Sequence, residues 1–112
     1  PKQIREIVSA STKKYPEVDF HIHIHDTRNI GMVNSLAAVE SGITKIQTTL
    51  GGLGGCPFAP GASGNTATED LVYMLNEMGY ETGIDTDKLI KAAKYERSII
   101  NGNFSGHLIN IQ

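Results

Sequence analysis

The segment VDFHIHIHDTRNIGMVNSLAAVESGITKIQTTL, residues Val18 to Leu50, decides the fold. Its first part, Val18 to Asp26, is β-branched and alternating, the pattern of a strand. Met32 to Ser41 then reads as a helix, with Val33, Leu36, Ala37 and Val39 near one side and Gly42 as its stop. Ile43 to Leu50 is rich in Ile and Thr and reads as a second strand. A strand, a helix and a strand in this order imply parallel pairing through a helical crossover.

On the N-terminal side, Ile4, Ile7, Val8 and Tyr15 recur at helical spacing, so a helix is expected from about Lys2 to Lys14, ended by Pro16. On the C-terminal side, a Gly-rich loop leads to Thr66-Ala67-Thr68-Glu69, which matches a capping box and opens a helix through Met78, stopped at Gly79. Asp85 or Thr86 caps a last helix running to about Ile100. Asn101 to Gln112 has no clear period and reads as a loop or short strand. Two strands make a poor sheet and leave long edges unpaired. The pattern therefore points to a piece of a larger α/β sheet or barrel. The chain also opens on a helical pattern at Pro1 without an initiator Met, which hints at a fragment, although processing also removes a Met.

The 112 residues, 39% hydrophobic and 20% charged, are ordinary for one soluble globular domain. A formal charge of −2 with scattered Lys and Arg gives no electrostatic case for a nucleic-acid partner. No apolar run approaches membrane-spanning length and no signal-peptide pattern stands at Pro1, so no membrane partner is expected. One cysteine excludes an internal disulfide framework and fits a reducing compartment, hence a cytoplasmic location.

Within the first strand, His21, His23 and His25 share one face, and Ile22 and Ile24 share the other. Same-face neighbours lie roughly 6.6 Å apart, close enough for two imidazoles to converge on one ion. Asp26 and Thr27 follow at the C-terminal end, where α/β folds place their sites. A lone histidine is most simply a satisfied core or surface residue. Three on one face are costly to bury without a ligand, so the spacing favours metal binding.

The loop from Gly51 to Asn65 holds six glycines, two prolines and the only cysteine, Cys56. Neither helix nor strand gains from that composition. A free cysteine is usually a small buried hydrophobe, but the flanking glycines and Pro57 argue against a packed position. A loop thiol can move a proton or attack as a nucleophile. Asn65 reads as an N-cap or turn residue, though a carboxamide oxygen also ligates hard cations. Glu69 and Asp70, in the first helical turn, read as capping and macrodipole residues.

The run from Gly51 to Asn65, followed by Thr-Ala-Thr-Glu-Asp-Leu-Val-Tyr-Met-Leu75, closely resembles the 3-hydroxy-3-methylglutaryl-CoA lyases. The His-x-His-Asp of residues 23 to 26 and the helix after it match as well. The resemblance covers Phe20 to about Ala93, within the metal-dependent lyases and Claisen-type synthases built on a (β/α)8 TIM barrel. It implies that residues 1–112 are the C-terminal portion of such a barrel, incomplete in this chain. By the same resemblance His23 and His25 bind a divalent cation, usually Mg2+ or Mn2+, and Asn65 is a further metal ligand, reversing the capping preference. Affinity alone would also allow Zn2+. Cys56 is implied as the catalytic loop cysteine, His23 also serves the catalytic centre, and Glu69 matches an acidic residue near the loop.

The implied reaction cleaves an acyl-CoA substrate, 3-hydroxy-3-methylglutaryl-CoA, to acetyl-CoA and acetoacetate. The family's further metal-binding Asp and adjacent catalytic Arg, on its first barrel strand, are not in this chain. Such a barrel needs about 250 residues and eight strands. Gln47 stands where the family more often has Asp, and His21 adds an imidazole on the inward face. The expectation is a lyase whose isolated fragment is inactive and which associates with the missing barrel portion or with copies of itself. The competing readings are a homocitrate- or citramalate-type condensing synthase and a non-catalytic, self-associating metal-binding fragment.

Overall fold

The computed structural model describes residues 1–56, 58, 60–61 and 64–111. Helix α1, Lys2–Lys14, follows the predicted span. It turns Val8 inward and carries Lys13 and Lys14 in its last turn, where cations favour the helix dipole. Strand β1 is only His21–His23, and strand β2 only Lys45–Gln47. They pair in parallel, with His21 opposite Lys45, Ile22 opposite Ile46 and His23 opposite Gln47. Helix α2, Gly31–Glu40, makes the crossover between them and buries Ala37 and Ala38 completely. Gly42 ends that segment with a φ of 106°, a conformation that a residue with a Cβ resists.

Both strands are shorter than their sequence patterns. A ladder lasts only where backbone groups meet a partner, and each strand has one neighbour among the described residues. Val8, Ala38 and Ile43 are buried together, with Ile4, Phe20, Ile22 and Ile46 packed against them. The apolar face of β1 thus sits under α1 and α2, leaving its histidine face exposed.

Beyond β2, a 3-10 turn at Leu50–Gly52 replaces the predicted end of the strand. Gly51 and Gly52 have φ values of 61° and 68°. A Cβ on Gly51 would stand 2.6 Å from the Phe104 ring, so conformation and close approach both call for glycine there. Helix α3 is Thr68–Glu77 and helix α4 is Thr86–Ile99. Asp85 caps α4 as expected, accepting from Lys88 N at 3.1 Å. The tail is not a strand: it ends in a four-residue helix α5, Leu108–Ile111. Arg97 ties α5 to α4 through Asn110 Oδ1 at 2.7 Å and Ile109 O at 3.3 Å. Leu71, Val72, Leu75, Ile90, Ala93, Leu108 and Ile109 are the buried apolar residues of these three helices. No helix among the described residues is long and apolar enough to cross a membrane.

Candidate metal centre

At the C-terminal ends of the two strands, residues 64 to 67 run between the continuations of β1 and β2. On one side, Asp26 N donates to Gly64 O at 3.0 Å and Thr66 N donates to Ile24 O at 3.3 Å. On the other, Thr49 N donates to Thr66 O at 3.2 Å and Thr68 N donates to Thr49 O at 2.9 Å. The Thr66 hydroxyl adds a bond to Ile24 O at 3.0 Å. The start of α3 is therefore laced to both strands at the end where parallel folds build their sites.

The first pair of bonds brackets His25 and Asn65, which form an antiparallel bridge. Opposed residues bracketed in this way are the non-hydrogen-bonded kind, with Cα atoms roughly 4.5 Å apart and side chains on one face. His23 shares that face by strand alternation, and its ring meets His25 edge to face at 5.2 Å. His23, His25 and Asn65 thus share one face at the strand ends. His21, on the same face, turns away to Asp19, its Nε2 at 3.6 Å. Asp19 also takes a hydrogen bond from Lys45, which holds its carboxyl below the usual carboxylate range.

Two details fit the trio to a cation. His23 Nδ1 lies 3.2 Å from Gln47 O, and a carbonyl only accepts, so in the neutral ring Nδ1 carries the proton and Nε2 keeps its lone pair. Asn65 Nδ2 donates to Leu53 O at 3.0 Å, while Asn65 Oδ1 is buried and has no partner among the described residues. A buried acceptor left unmatched is costly unless something outside the chain meets it. Two imidazole nitrogens and one amide oxygen suit a borderline or hard divalent ion. Among the described residues no group of three or more His, Cys, Asp and Glu is placed to hold a metal. This trio is two histidines and an amide, one ligand type outside that set.

Asn65 is not a helix cap. The N-cap of α3 is Ala67, and no side chain caps it. The expected capping box fails because its acidic member has another task. Glu69 is fully buried and its Oε2 accepts from Gly51 N at 3.0 Å. Burial pushes the Glu69 carboxyl up, partly offset by the Gly51 hydrogen bond. Asp70 is likewise more than a macrodipole residue: its two oxygens accept from His107 N at 2.8 Å and Leu108 N at 2.9 Å. Asp26, next to the histidines, accepts from Gly31 N at 2.7 Å at the start of α2. Partners this distant in sequence leave no local signal for Glu69 or Asp70.

Cys56 is a free, half-buried thiol on the Gly-rich loop. No hydrogen bond joins it to the trio among the described residues. Pro57, whose presence shaped the reading of the thiol, lies outside the described residues.

The model of the HMGL-like family matches residues 1–95. The chain is 44% identical over 95 residues to hydroxymethylglutaryl-CoA lyase YngG of Bacillus subtilis, covering 85% of the chain and 32% of that relative. It is also 44% identical over 95 residues to the (R)-citramalyl-CoA lyase of Chloroflexus aurantiacus, covering 85% of the chain and 30% of that relative. An HMG-CoA lyase structure from Acinetobacter baumannii, in complex with coenzyme A and 3-methylmalate, superposes with a TM-score of 0.88 at 44% identity. That match covers 97% of the chain and 36% of the solved one. The chain therefore spans about a third of the length of the curated relatives it matches.

Proposed function

The chain belongs to the HMGL-like family, and on that footing we propose that it is the metal-binding portion of an acyl-CoA lyase that cleaves 3-hydroxy-3-methylglutaryl-CoA to acetyl-CoA and acetoacetate. The observation that carries the reading is the trio at the strand ends: Asn65 faces His25 across the bridge, its Oδ1 is buried without a partner among the described residues, and the His23 ring meets that of His25. In this reading residues 1–112 are the last part of a (β/α)8 barrel. The two-stranded sheet, joined by a crossover helix and with relatives three times as long, supports that placement. So does the opposition of the trio to β1's buried face, since a barrel's ligands lie beyond the carboxyl ends of its strands. The other barrel strands would come from a further segment of chain, and the isolated portion is expected to be inactive.

His23 Nε2, a nitrogen of His25 and Asn65 Oδ1 would hold a Mg2+ or Mn2+ ion. Bound there, the ion would polarise the substrate hydroxyl and make it more acidic. The chain's own residues do the rest of what this portion contributes. Gln47 O fixes the His23 ring and tautomer, and Leu53 O fixes the Asn65 amide, so the donor atoms are oriented before any ligand arrives. Cleavage breaks the carbon–carbon bond once the hydroxyl proton has passed to a base, leaving a ketone and the enolate of acetyl-CoA. Cys56 Sγ–H then delivers a proton to the enolate carbon. A relative named for citramalyl-CoA and a neighbour holding coenzyme A support an acyl-CoA substrate of this class, with the acyl group read elsewhere in the barrel. A cytoplasmic enzyme is part of the reading, with which a free thiol is compatible.

The test is the complete protein carrying this chain, assayed for acetoacetate release with Mg2+ or Mn2+. Cys56→Ser should lower turnover by about 10²- to 10⁴-fold. Unchanged cleavage in that variant would sink the proton-delivery role, and acetyl-CoA consumption in place of release would point to a condensing synthase.

A further inference from the structure

The family match ends at residue 95, and the segment beyond it lies against the candidate metal ligand. Ser105 Oγ stands 3.3 Å from Gly52 O and 3.4 Å from Asn65 O. These two carbonyls belong to the two ends of the Gly-rich loop, Leu50–Gly54 on one side and Gly64–Asn65 on the other. The ends are already joined by Asn65 N, which donates to Gly52 O at 3.2 Å. The Ser105 hydroxyl therefore sits at the junction of both stems and of Asn65 itself.

The glycines beside it make room for that approach. A Cβ on Gly64 would lie 2.7 Å from Ser105 Oγ, and one on Gly52 would also meet that oxygen. Phe104 fills the space where Gly51 would carry a Cβ, 2.6 Å from its ring, and a Cβ on Gly106 would stand 2.7 Å from Glu69 Oε1. Gly106 N donates to Gly51 O at 2.8 Å, and Gly54 N donates to Asn103 O at 3.4 Å. Asp70 anchors the far end of the segment at His107 and Leu108. Residues 103 to 108 are thus held at both ends and pressed onto the loop stems in the middle.

We propose that Ser105 is a positioning residue: its hydroxyl, sharing its one proton between Gly52 O and Asn65 O, holds the Asn65 backbone so that Oδ1 faces the cation shared with His23 and His25. Strand β1 fixes Asn65 from one side through Ile24 and Asp26, and Ser105 fixes it from the other. The consequence for binding rests on the metal reading of the trio, while the mechanical part does not. It also accounts for the glycines at 52 and 64, since the hydroxyl approaches the backbone where their side chains would be.

The experiment takes the protein carrying this chain as wild type, as Ser105→Ala and as His107→Ala, with amide hydrogen exchange and a Mn2+ titration on each. His107→Ala removes an exposed imidazole from the same segment and keeps its backbone bond to Asp70, so it controls for general loosening. Ser105→Ala should speed exchange at the Asn65 amide by about tenfold and weaken Mn2+ binding by a similar factor, as outer-shell partners of metal ligands do. His107→Ala should leave both at wild-type values. Unchanged exchange at Asn65 in Ser105→Ala overturns the proposal, as does equal acceleration in His107→Ala. Faster exchange with unaltered Mn2+ affinity also overturns it, reducing Ser105 to a structural contact. A wild-type protein that takes up no Mn2+ sinks the metal reading instead, and the exchange comparison then decides alone whether Ser105 holds Asn65.

Discussion

His25 and Asn65 face each other across an antiparallel bridge that closes the C-terminal end of a parallel sheet. The geometry matters because 39 residues, including a helix, a strand and the Gly-rich loop, separate them in the chain. A parallel strand presents one side chain per level to its inward face. The antiparallel rung of residues 64 to 67 adds a second donor at the level of His25, and alternation along β1 supplies His23 as a third. One bridge therefore converts a row of histidines into a three-point arrangement.

Replacing the amide separates its two duties. Asn65→Ala removes Oδ1 and also the bond from Nδ2 to Leu53 O. Mn2+ affinity should fall by at least about tenfold, and stability without metal by roughly 0.5–1.5 kcal/mol for the lost bond. Asn65→Asp keeps an oxygen for the ion but sets a carboxylate against the Leu53 carbonyl. It should lose about 1–3 kcal/mol without metal and regain thermal stability on adding Mn2+, which Asn65→Ala should not. Calorimetry of the three proteins with and without Mn2+ checks both statements.

Glu69 gives a pH dependence of defined sign. Its carboxyl is buried and its protonation is favoured in the folded chain, mainly by desolvation. The folded state then binds more protons than the unfolded one above the ordinary glutamate range, so stability falls as pH rises from that range through the raised folded value. Glu69→Gln keeps an acceptor for Gly51 N and removes the charge. Its unfolding free energy should lose that slope and, near pH 7, equal or exceed the wild type's. Glu69→Ala leaves Gly51 N without its partner and should cost about 1–3 kcal/mol at the same pH. Urea melts between pH 4 and 8 distinguish the three.

The helices were legible where the information is local. Ile4 and Val8 mark one face of α1, Pro16 follows it, and Asp85 caps α4. The trio was legible in part for the same reason: strand alternation puts His23 and His25 on one face whatever surrounds them. Strand length was not, because Val18, Thr48 and Thr49 have β-forming side chains but only a partner strand makes a ladder. The capping box failed at Glu69 because a long-range donor, Gly51 N, competes with the local one and wins when the carboxyl is buried. Asp70 read as a macrodipole residue for the same reason, its donors lying 37 and 38 residues away. Local pattern sees a residue's periodicity and caps; it cannot see a partner across the fold.

Gly31 offers a test of how tightly the site is built into the sheet. Its φ is not in the left-handed region, so backbone strain does not require glycine there. Space does: a Cβ would stand 2.5 Å from Thr66 Oγ1 and 2.8 Å from Asp26 Oδ1. Both atoms are in use, the first donating to Ile24 O and the second accepting from Gly31 N. Thr66 is the neighbour of Asn65 and Asp26 the neighbour of His25, so a methyl group at 31 pushes on both sides of the bridge. Gly31→Ala should destabilise the fold by about 1–3 kcal/mol and weaken Mn2+ binding. Gly42→Ala is the contrast, with a φ of 106° but nothing within 4 Å of the added Cβ. It should cost about 1–2 kcal/mol from backbone strain and leave Mn2+ affinity where it was. Comparable losses of stability with a loss of metal affinity confined to Gly31→Ala would tie the ion to the bridge rather than to stability at large. Equal effects on affinity from both variants would argue that metal binding tracks global folding alone.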